Sequence, residues 1–249
     1  MPLGAVDFVE LLQDGVLETE LWYDFLNLGF KLIPMAGSDF PYLSAPGGER
    51  NYVYVGEEFT VDDYYAALKS QRTFVTNGPM LEFTVNGRMM GSDISLMEGD
   101  DVEISATASL NPDIEPLDRL ELVMQGDVVA TVDDVSADNS LSLDLSMPVS
   151  SGTWIALRAY GAEQTSAHTA PVYISTGGGF EQWSVVPGRA RRMMAKLDEV
   201  ATAEAGSPQA LEAGSAGEPR ERMLWAPRVA SLERADEARA GEARFRERP

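Results

Sequence analysis

A chain of 249 residues, 44% of them hydrophobic, is long enough to bury the core of one large or two medium domains. The whole net charge of −21 lies in residues 1–180, with 28 acidic and 7 basic residues, and such a surface would repel nucleic acid. The absence of cysteine excludes disulfides and thiolate metal sites. Without an apolar run of about 18 residues or a signal-peptide pattern, we predict a soluble protein with no transmembrane segment, in the cytoplasm or the periplasm.

The first predicted elements form a βαβ unit. Residues 5–12 are typical of a mostly buried strand, and residues 19–28 carry the apolar stripe of a short helix that ends at Gly29. Residues 32–35 are an apolar run that ends in a small-residue turn, which predicts a buried strand parallel to the first. Two strands cannot form a stable sheet alone, so this unit is predicted to be the end of a larger barrel.

Two carboxylates follow from this arrangement as candidates for a site. The strand at residues 32–35 would deliver Asp39 to the carboxyl edge of the sheet, where α/β enzymes keep their chemistry. Gly-Ser-Asp is also an ordinary turn in which Asp bonds to its own backbone. Glu10, near the end of the first strand, could point into a site or only cap the edge of the sheet.

The chain up to residue 79 is predicted to continue this domain. We predict a loop, a strand, a helix and a second strand at residues 41–49, 51–55, 60–70 and 72–79. Thr60 and Asp63 have the spacing of a capping box. The apolar residues that this helix would turn inward are Val61, Tyr64, Tyr65 and Leu68.

Two polar side chains in this stretch have both a functional and a structural interpretation. The guanidinium of Arg50 could bind an anionic substrate group in bidentate fashion, although a surface salt bridge is the commoner arrangement for arginine. Asn77 could orient substrate or water, but Asn-Gly is also a plain turn former.

From residue 80 apolar and polar residues alternate for almost a hundred residues. The alternating stretches are residues 81–85, 102–108, 120–124, 128–132, 141–145, 155–159 and 170–174. Gly126 and Asp127 mark a tight hairpin between two of them. This pattern predicts an Ig-like antiparallel β-sandwich of about seven strands at residues 80–176.

The last part of the chain has a different composition. Residues 187–200 and 229–246 have helical patterns, and residues 201–219 are a linker rich in Ala, Gly, Ser and Glu. We predict a helical, partly disordered tail at residues 177–249. His168 is the only histidine, and a lone histidine is more often a hydrogen-bonded structural residue than a metal ligand.

Four separated pieces of the chain, at residues 6–10, 22–30, 36–41 and 72–79, occur in the order found in a known family. They resemble the C-terminal half of carbaryl-hydrolase-like metallohydrolases (the CehA/McbA group) of the polymerase and histidinol phosphatase (PHP) superfamily. The resemblance extends from about Val6 to Tyr173 and also places His168 at a domain junction. It implies that Asp39 is a ligand of a catalytic metal.

The resemblance further implies that Arg72 and Asn77 act as catalytic residues and that Arg50 binds substrate. PHP-type sites are rich in histidine and begin with a His-x-His motif, which this sequence lacks. Scattered carboxylates cannot rebuild such a site. We therefore expect an α/β plus all-β chain: the C-terminal end of a PHP-type (β/α) barrel at residues 1–79, the β-sandwich and the helical tail, with the N-terminal half of the barrel missing.

The expected function is that of a C-terminal fragment of a metal-dependent hydrolase acting on a small-molecule substrate. In the intact enzyme, hydroxide on zinc, manganese or iron would attack an ester, amide, carbamate or phosphoester bond. Without its histidine-rich half, this chain is expected to be inactive. The sequence leaves open whether the chain alone binds a metal. The alternative is a non-catalytic β-sandwich binding or accessory protein. An exposed apolar face on the βαβ segment would favour aggregation or a homo-oligomer.

Overall fold

The computed structural model describes residues 6–27, 29–57 and 59–176. Within these residues it has fifteen strands and two helices. In chain order they are β1 (Phe8–Gln13), β2 (Val16–Leu17), α1 (Glu20–Asn27), β3 (Ile33–Gly37), β4 (Arg50–Val53), α2 (Val61–Lys69), β5 (Thr73–Thr76), β6 (Met80–Val85), β7 (Arg88–Met89), β8 (Asp93–Leu96), β9 (Asp101–Ser109), β10 (Leu117–Met124), β11 (Asp127–Val132), β12 (Ser140–Pro148), β13 (Thr153–Gly161), β14 (Ser166–Thr169) and β15 (Val172–Thr176).

Three sheets make up the architecture. A small sheet has the order β2-β1-β3, in which β1 and β3 run parallel. The largest sheet has the order β11-β10-β13-β14-β5-β4, and β15 pairs with β13 and, in parallel, with β8. The third sheet is antiparallel and has the order β12-β9-β6-β7. Many neighbouring strands are far apart in the chain, so most of the pairing is non-local.

The two larger sheets pack face to face around the main hydrophobic core. Val102 and Ile104 of β9 belong to the same buried cluster as Leu120 of β10 and Leu157 of β13. Every second residue of β9 is buried, which is the pattern of a strand with one face on a core. A β-sandwich is confirmed, but its largest sheet also contains β4 and β5, from before residue 80, and a parallel pair, β8 and β15. Gly126, with a φ of 94°, makes the turn between β10 and β11, where a hairpin was predicted.

The second face of the largest sheet is covered by α1. Trp154 of β13 and His168 of β14 are fully buried and pack against Trp22 and Tyr23 of the helix. Three residues of the predicted apolar stripe, Trp22, Phe25 and Leu26, are therefore buried, whereas Leu21, which was predicted to belong to it, is 58% exposed. Gly29 follows the helix with a φ of 82°, the left-handed conformation expected after a helix C-terminus.

The prediction that residues 1–79 form the end of a (β/α) barrel is wrong. The βαβ unit of β1, α1 and β3 is present, but β4 and β5 are antiparallel. β5 pairs with β14, so β4 and β5 extend the largest sheet, and the described residues form no closed barrel. All four residues of β5 are buried, as they would be in a barrel strand. Burial of both faces does not specify the direction of a strand or its partner, which explains the error.

The helix α2 begins as predicted, but two of the four residues that were expected to face inward are exposed. Thr60 is the N-cap, and its hydroxyl oxygen accepts a hydrogen bond from the N–H of Asp63 at 3.0 Å. Val61 is 63% exposed and Tyr65 is 55% exposed, whereas Ala67 is buried. The inward orientation expected for Val61 and Tyr65 is therefore wrong, because helical periodicity predicts a stripe without identifying what covers it.

The structure does not test the predicted tail or the predicted domain boundaries. The predicted tail at residues 177–249 lies outside the described residues. The domain boundaries after residues 79 and 176 stay predictions. Neither described helix is long and apolar enough to cross a membrane.

Candidate functional site at the end of the parallel strands

Asp39 follows the parallel strands, two residues after β3 ends. Its φ of 49° lies in the left-handed region, which Asp tolerates better than most residues. The carbonyl of Asp39 accepts hydrogen bonds from the N–H groups of Tyr42 at 2.8 Å and Leu43 at 3.3 Å. The backbone therefore holds this turn, and the exposed side chain of Asp39 can meet a ligand from solvent.

The second carboxylate, Glu10, reaches the same end of the small sheet. Glu10 lies opposite Met35 in the parallel pair, and its carboxylate extends along the sheet to Gly37. A Cβ atom added to Gly37 would lie 2.5 Å from Oε2 of Glu10, so any side chain there would displace the carboxylate. Glycine at this position therefore lets Glu10 lie against the strand that delivers Asp39.

Two side chains that the sequence analysis missed hold the loop after β3. The amide oxygen of Asn51 accepts a hydrogen bond from the N–H of Ala36 at 2.9 Å, and its amide nitrogen donates to the Ala36 carbonyl at 3.0 Å. Glu49 accepts hydrogen bonds from the Gly15 N–H at 3.1 Å and the Ser44 hydroxyl at 2.7 Å. The bonds of Asn51 to Ala36 and of Glu49 to Gly15 join residues 15 and 34 positions apart, and no local sequence pattern encodes them.

Arg50 and Asn77 lie at the same end of the fold. Because Asn51 binds Ala36, β4 begins beside the carboxyl end of β3. Arg50 is the first residue of β4 and is paired with Thr76, the last residue of β5, so Asn77 follows at this end as well. Two of the predicted substrate-facing residues are therefore brought to the end where the carboxylates lie.

The amide of Asn77 and one guanidinium nitrogen of Arg50 already have partners in the chain. The amide oxygen of Asn77 accepts a hydrogen bond from the Ser166 N–H at 2.7 Å, and its amide nitrogen donates to the Gln164 carbonyl at 3.2 Å. Arg50 donates from Nη1 to the Gly47 carbonyl at 3.1 Å, while its buried Nε has no partner among the described residues. Asn77 thus ties β5 to the turn before β14.

Arg72, the third predicted side chain, is not part of this group. It precedes β5, whereas Asn77 follows it, so the two are separated by roughly 17 Å of extended chain. Its side chain is exposed, and its backbone bonds to Ala67 and Tyr54. The structure therefore places Arg72 at the opposite end of β5.

The candidate metal ligands at this end are carboxylate oxygens, which suit a hard divalent cation. A hydrolytic metal site needs about three protein ligands and an open position for water. Glu10 and Asp39 supply two carboxylates, and the described part of the chain contains no group of three His, Asp or Glu side chains able to hold a metal. These residues do not by themselves fit a complete hydrolytic metal site.

His168 has a structural role at the contact between α1 and the largest sheet. Its Nδ1 lies 2.8 Å from the Thr169 carbonyl, which can only accept, so Nδ1 carries the proton. The Tyr23 hydroxyl therefore donates to Nε2 at 2.5 Å. Burial lowers the pKa of His168 to about 3 and raises the pKa of Tyr23 to about 12. Both ring nitrogens of His168 are thus hydrogen-bonded within the fold.

A second set of hydrogen bonds holds α1 on the sheet. The indole N–H of Trp154 donates to the amide oxygen of Asn27 at 2.8 Å, and the Asn27 amide nitrogen donates to the Gln125 carbonyl at 3.0 Å. The indole N–H of Trp22 donates to the Leu32 carbonyl at 3.0 Å, just before β3. The parallel strands are therefore positioned by the sandwich through α1.

The chain matches no protein-family model and no curated protein. Among solved structures, the sulfur carrier protein SoxY from Chlorobium limicola f thiosulfatophilum is 10% identical with a TM-score of 0.29, over 39% of this chain and 74% of its own. Fibronectin(III)-like modules of CbhA from Clostridium thermocellum are 18% identical with a TM-score of 0.28, over 39% and 46%. A Jonesia denitrificans lytic polysaccharide monooxygenase is 12% identical with a TM-score of 0.23, over 34% and 57%.

Proposed function

We propose that this chain is part of a metal-dependent hydrolase and that Asp39 and Glu10 supply two of its metal ligands. The observation that supports the proposal is the approach of the Glu10 carboxylate to Gly37, two residues before Asp39. Both carboxylates thereby belong to the end of the parallel pair β1 and β3, and the carboxyl ends of parallel strands commonly carry catalytic groups. The sequence resemblance to carbaryl-hydrolase-like metallohydrolases also supports this function.

Two carboxylates are fewer than the about three protein ligands that a hydrolytic metal site needs, so these residues would supply only part of the site. The metal in the complete site would be zinc, manganese or iron, and the substrate a small molecule with an ester, amide, carbamate or phosphoester bond. Arg50, at the same end as the carboxylates, is the candidate for binding an anionic group of that substrate. Without the missing ligands we expect no turnover by this chain.

The proposal is tested by titrating the full chain with Mn²⁺ in a calorimeter. Because a carboxylate ligand must be charged, Asp39→Asn and Glu10→Gln should each weaken Mn²⁺ binding at least about tenfold. Asp101→Asn, at an exposed carboxylate of β9, is the matched control and should bind like the wild type. Equal affinities of all four proteins would refute the assignment of these ligands.

A second candidate function is a non-catalytic binding or accessory protein. It is favoured by the contacts of Asn77, whose amide is bonded to Gln164 and Ser166 and is thus used to hold the fold. If this function holds, Asn77→Ala should lower the unfolding temperature with no specific effect on Mn²⁺ binding. Under the hydrolase proposal the Asp39 and Glu10 variants show the reverse: weaker Mn²⁺ binding with little change in unfolding temperature.

A further inference from the structure

Several apolar side chains on β4, on α2 and on the chain between them are exposed. We call this set the tyrosine face and define it by Tyr52, Tyr54, Phe59, Val61 and Tyr65. Four of the five are more than half exposed, and Tyr52, at 39%, stacks on a phenylalanine of β5. On the helix side of this set the rings lie close together, because Phe59 and Tyr65 both contact the ring of Tyr64, at centroid distances of 6.4 and 5.6 Å. Exposed apolar groups of this size often mark a binding surface.

The pattern of α2 indicates that this face is made to be covered. Val61 and Tyr65 lie four residues apart on one side of the helix, the spacing of a stripe that normally packs on another element. No element among the described residues covers them. The helix is nevertheless well capped by Thr60 and Asp63, so the stripe belongs to a formed helix.

The charges beside the tyrosine face select the kind of partner. Three exposed carboxylates, Glu57, Asp62 and Asp63, lie in the same stretch of chain, which has no Lys or Arg, and residues 1–180 together have a net charge of −21. A second copy of this chain would bring like charges together. A basic partner would be attracted at long range, and its Arg or Lys side chains could lie over the exposed tyrosine rings.

We propose that the tyrosine face binds a basic polypeptide segment that carries apolar anchor residues. Tyrosine and arginine are among the residues that contribute most to protein interfaces, because they bury a large area at low cost in side-chain entropy or form several polar contacts. The partner's apolar residues would pack on Val61, Phe59 and Tyr65, and its cations would meet the tyrosine rings and carboxylates. This proposal is independent of the hydrolase function.

The test uses the full chain and two fluorescein-labelled synthetic peptides of equal positive charge, measured by fluorescence anisotropy near physiological salt. One peptide alternates arginine with leucine, and in the other every leucine is replaced by serine. The face variant combines Tyr54→Ser with Tyr65→Ser. The matched control combines Met97→Ser with Ile114→Ser, two exposed apolar residues of the sandwich.

The wild type and the control should bind the leucine peptide at least about tenfold more tightly than the serine peptide, and the face variant should lose that preference. Circular dichroism checks that the variants are folded. If the face variant keeps the preference, or if no protein shows it, the proposal is overturned. It is also overturned if sedimentation shows a wild-type dimer that the face variant breaks, because a second copy then covers the face.

Discussion

Acidification should destabilise this protein through His168. Burial lowers the pKa of His168 to about 3 from its ordinary 6.5. The folded protein therefore binds this proton more weakly than the unfolded chain, so the contribution is complete above pH 6.5 and is lost as the pH falls toward 3. Each pH unit well inside this window removes about 1.4 kcal/mol, so lowering the pH from about 7 to about 4.5 removes roughly 2–3 kcal/mol of unfolding free energy.

The assay is urea unfolding of the wild type and of His168→Gln at pH 7 and about pH 4.5, followed by tryptophan fluorescence. Trp22 packs edge-on against the His168 ring at 5.2 Å, so its emission reports on this contact. Glutamine stays neutral at both pH values, and the titration of carboxylates should affect both proteins alike. The wild type should lose roughly 2–3 kcal/mol more than the variant on acidification. Equal losses would refute the assignment of a neutral, buried His168.

Three further results are expected. Trp154→Phe leaves the amide oxygen of Asn27 without its buried donor and should lower the unfolding free energy by about 1–3 kcal/mol in urea titrations. Asn51→Leu leaves the N–H and carbonyl of Ala36 unpaired, so exchange of that amide hydrogen, measured by NMR, should speed up relative to amides of β9. Raising NaCl from about 0.1 to 1 M shortens the Debye length from about 10 to 3 Å and should raise the unfolding temperature, because it screens repulsion in the acidic region; a falling temperature would contradict this.

The sequence predicts those features that depend on neighbouring residues. Gly29 follows α1 with the positive φ that a helix end requires, and Thr60 caps α2 through Asp63, three residues later. The alternation of β9 and the turn at Gly126 are equally local. For such elements, the backbone conformation and the buried side are written into a few adjacent residues.

Features that depend on distant residues were not predictable in the same way. The pairing of β5 with β14 joins Thr76 to Ala167, about ninety residues apart, and nothing in the apolar run of β5 specifies that partner. The strands β7, β8 and β14 were not predicted. They have two, four and four residues, too few for an alternating pattern to stand out from a loop. The exposure of Val61 and Tyr65 on α2 was missed because a helical pattern does not show which other element, if any, packs against the helix.

The candidate site shows the same difference between features set by neighbouring residues and features set by distant ones. Asp39 could be singled out because it follows an apolar strand directly. Glu10 could be placed at a strand end, but its contact with Gly37 depends on the register between β1 and β3. Arg72 and Asn77 are close in sequence, yet β5 separates them because an extended strand gains about 3.3 Å per residue.

The central claim, that Asp39 supplies a metal ligand, is tested most directly by elemental analysis of the purified full chain beside Asp39→Asn and Asp101→Asn, with a phosphoester and an aryl ester assayed for hydrolysis in parallel. The proposal predicts zinc, manganese or iron in the wild type and in Asp101→Asn, a clear loss of that metal in Asp39→Asn, and no turnover by any of the three. Equal metal content in all three proteins, or none in any of them, would contradict the claim.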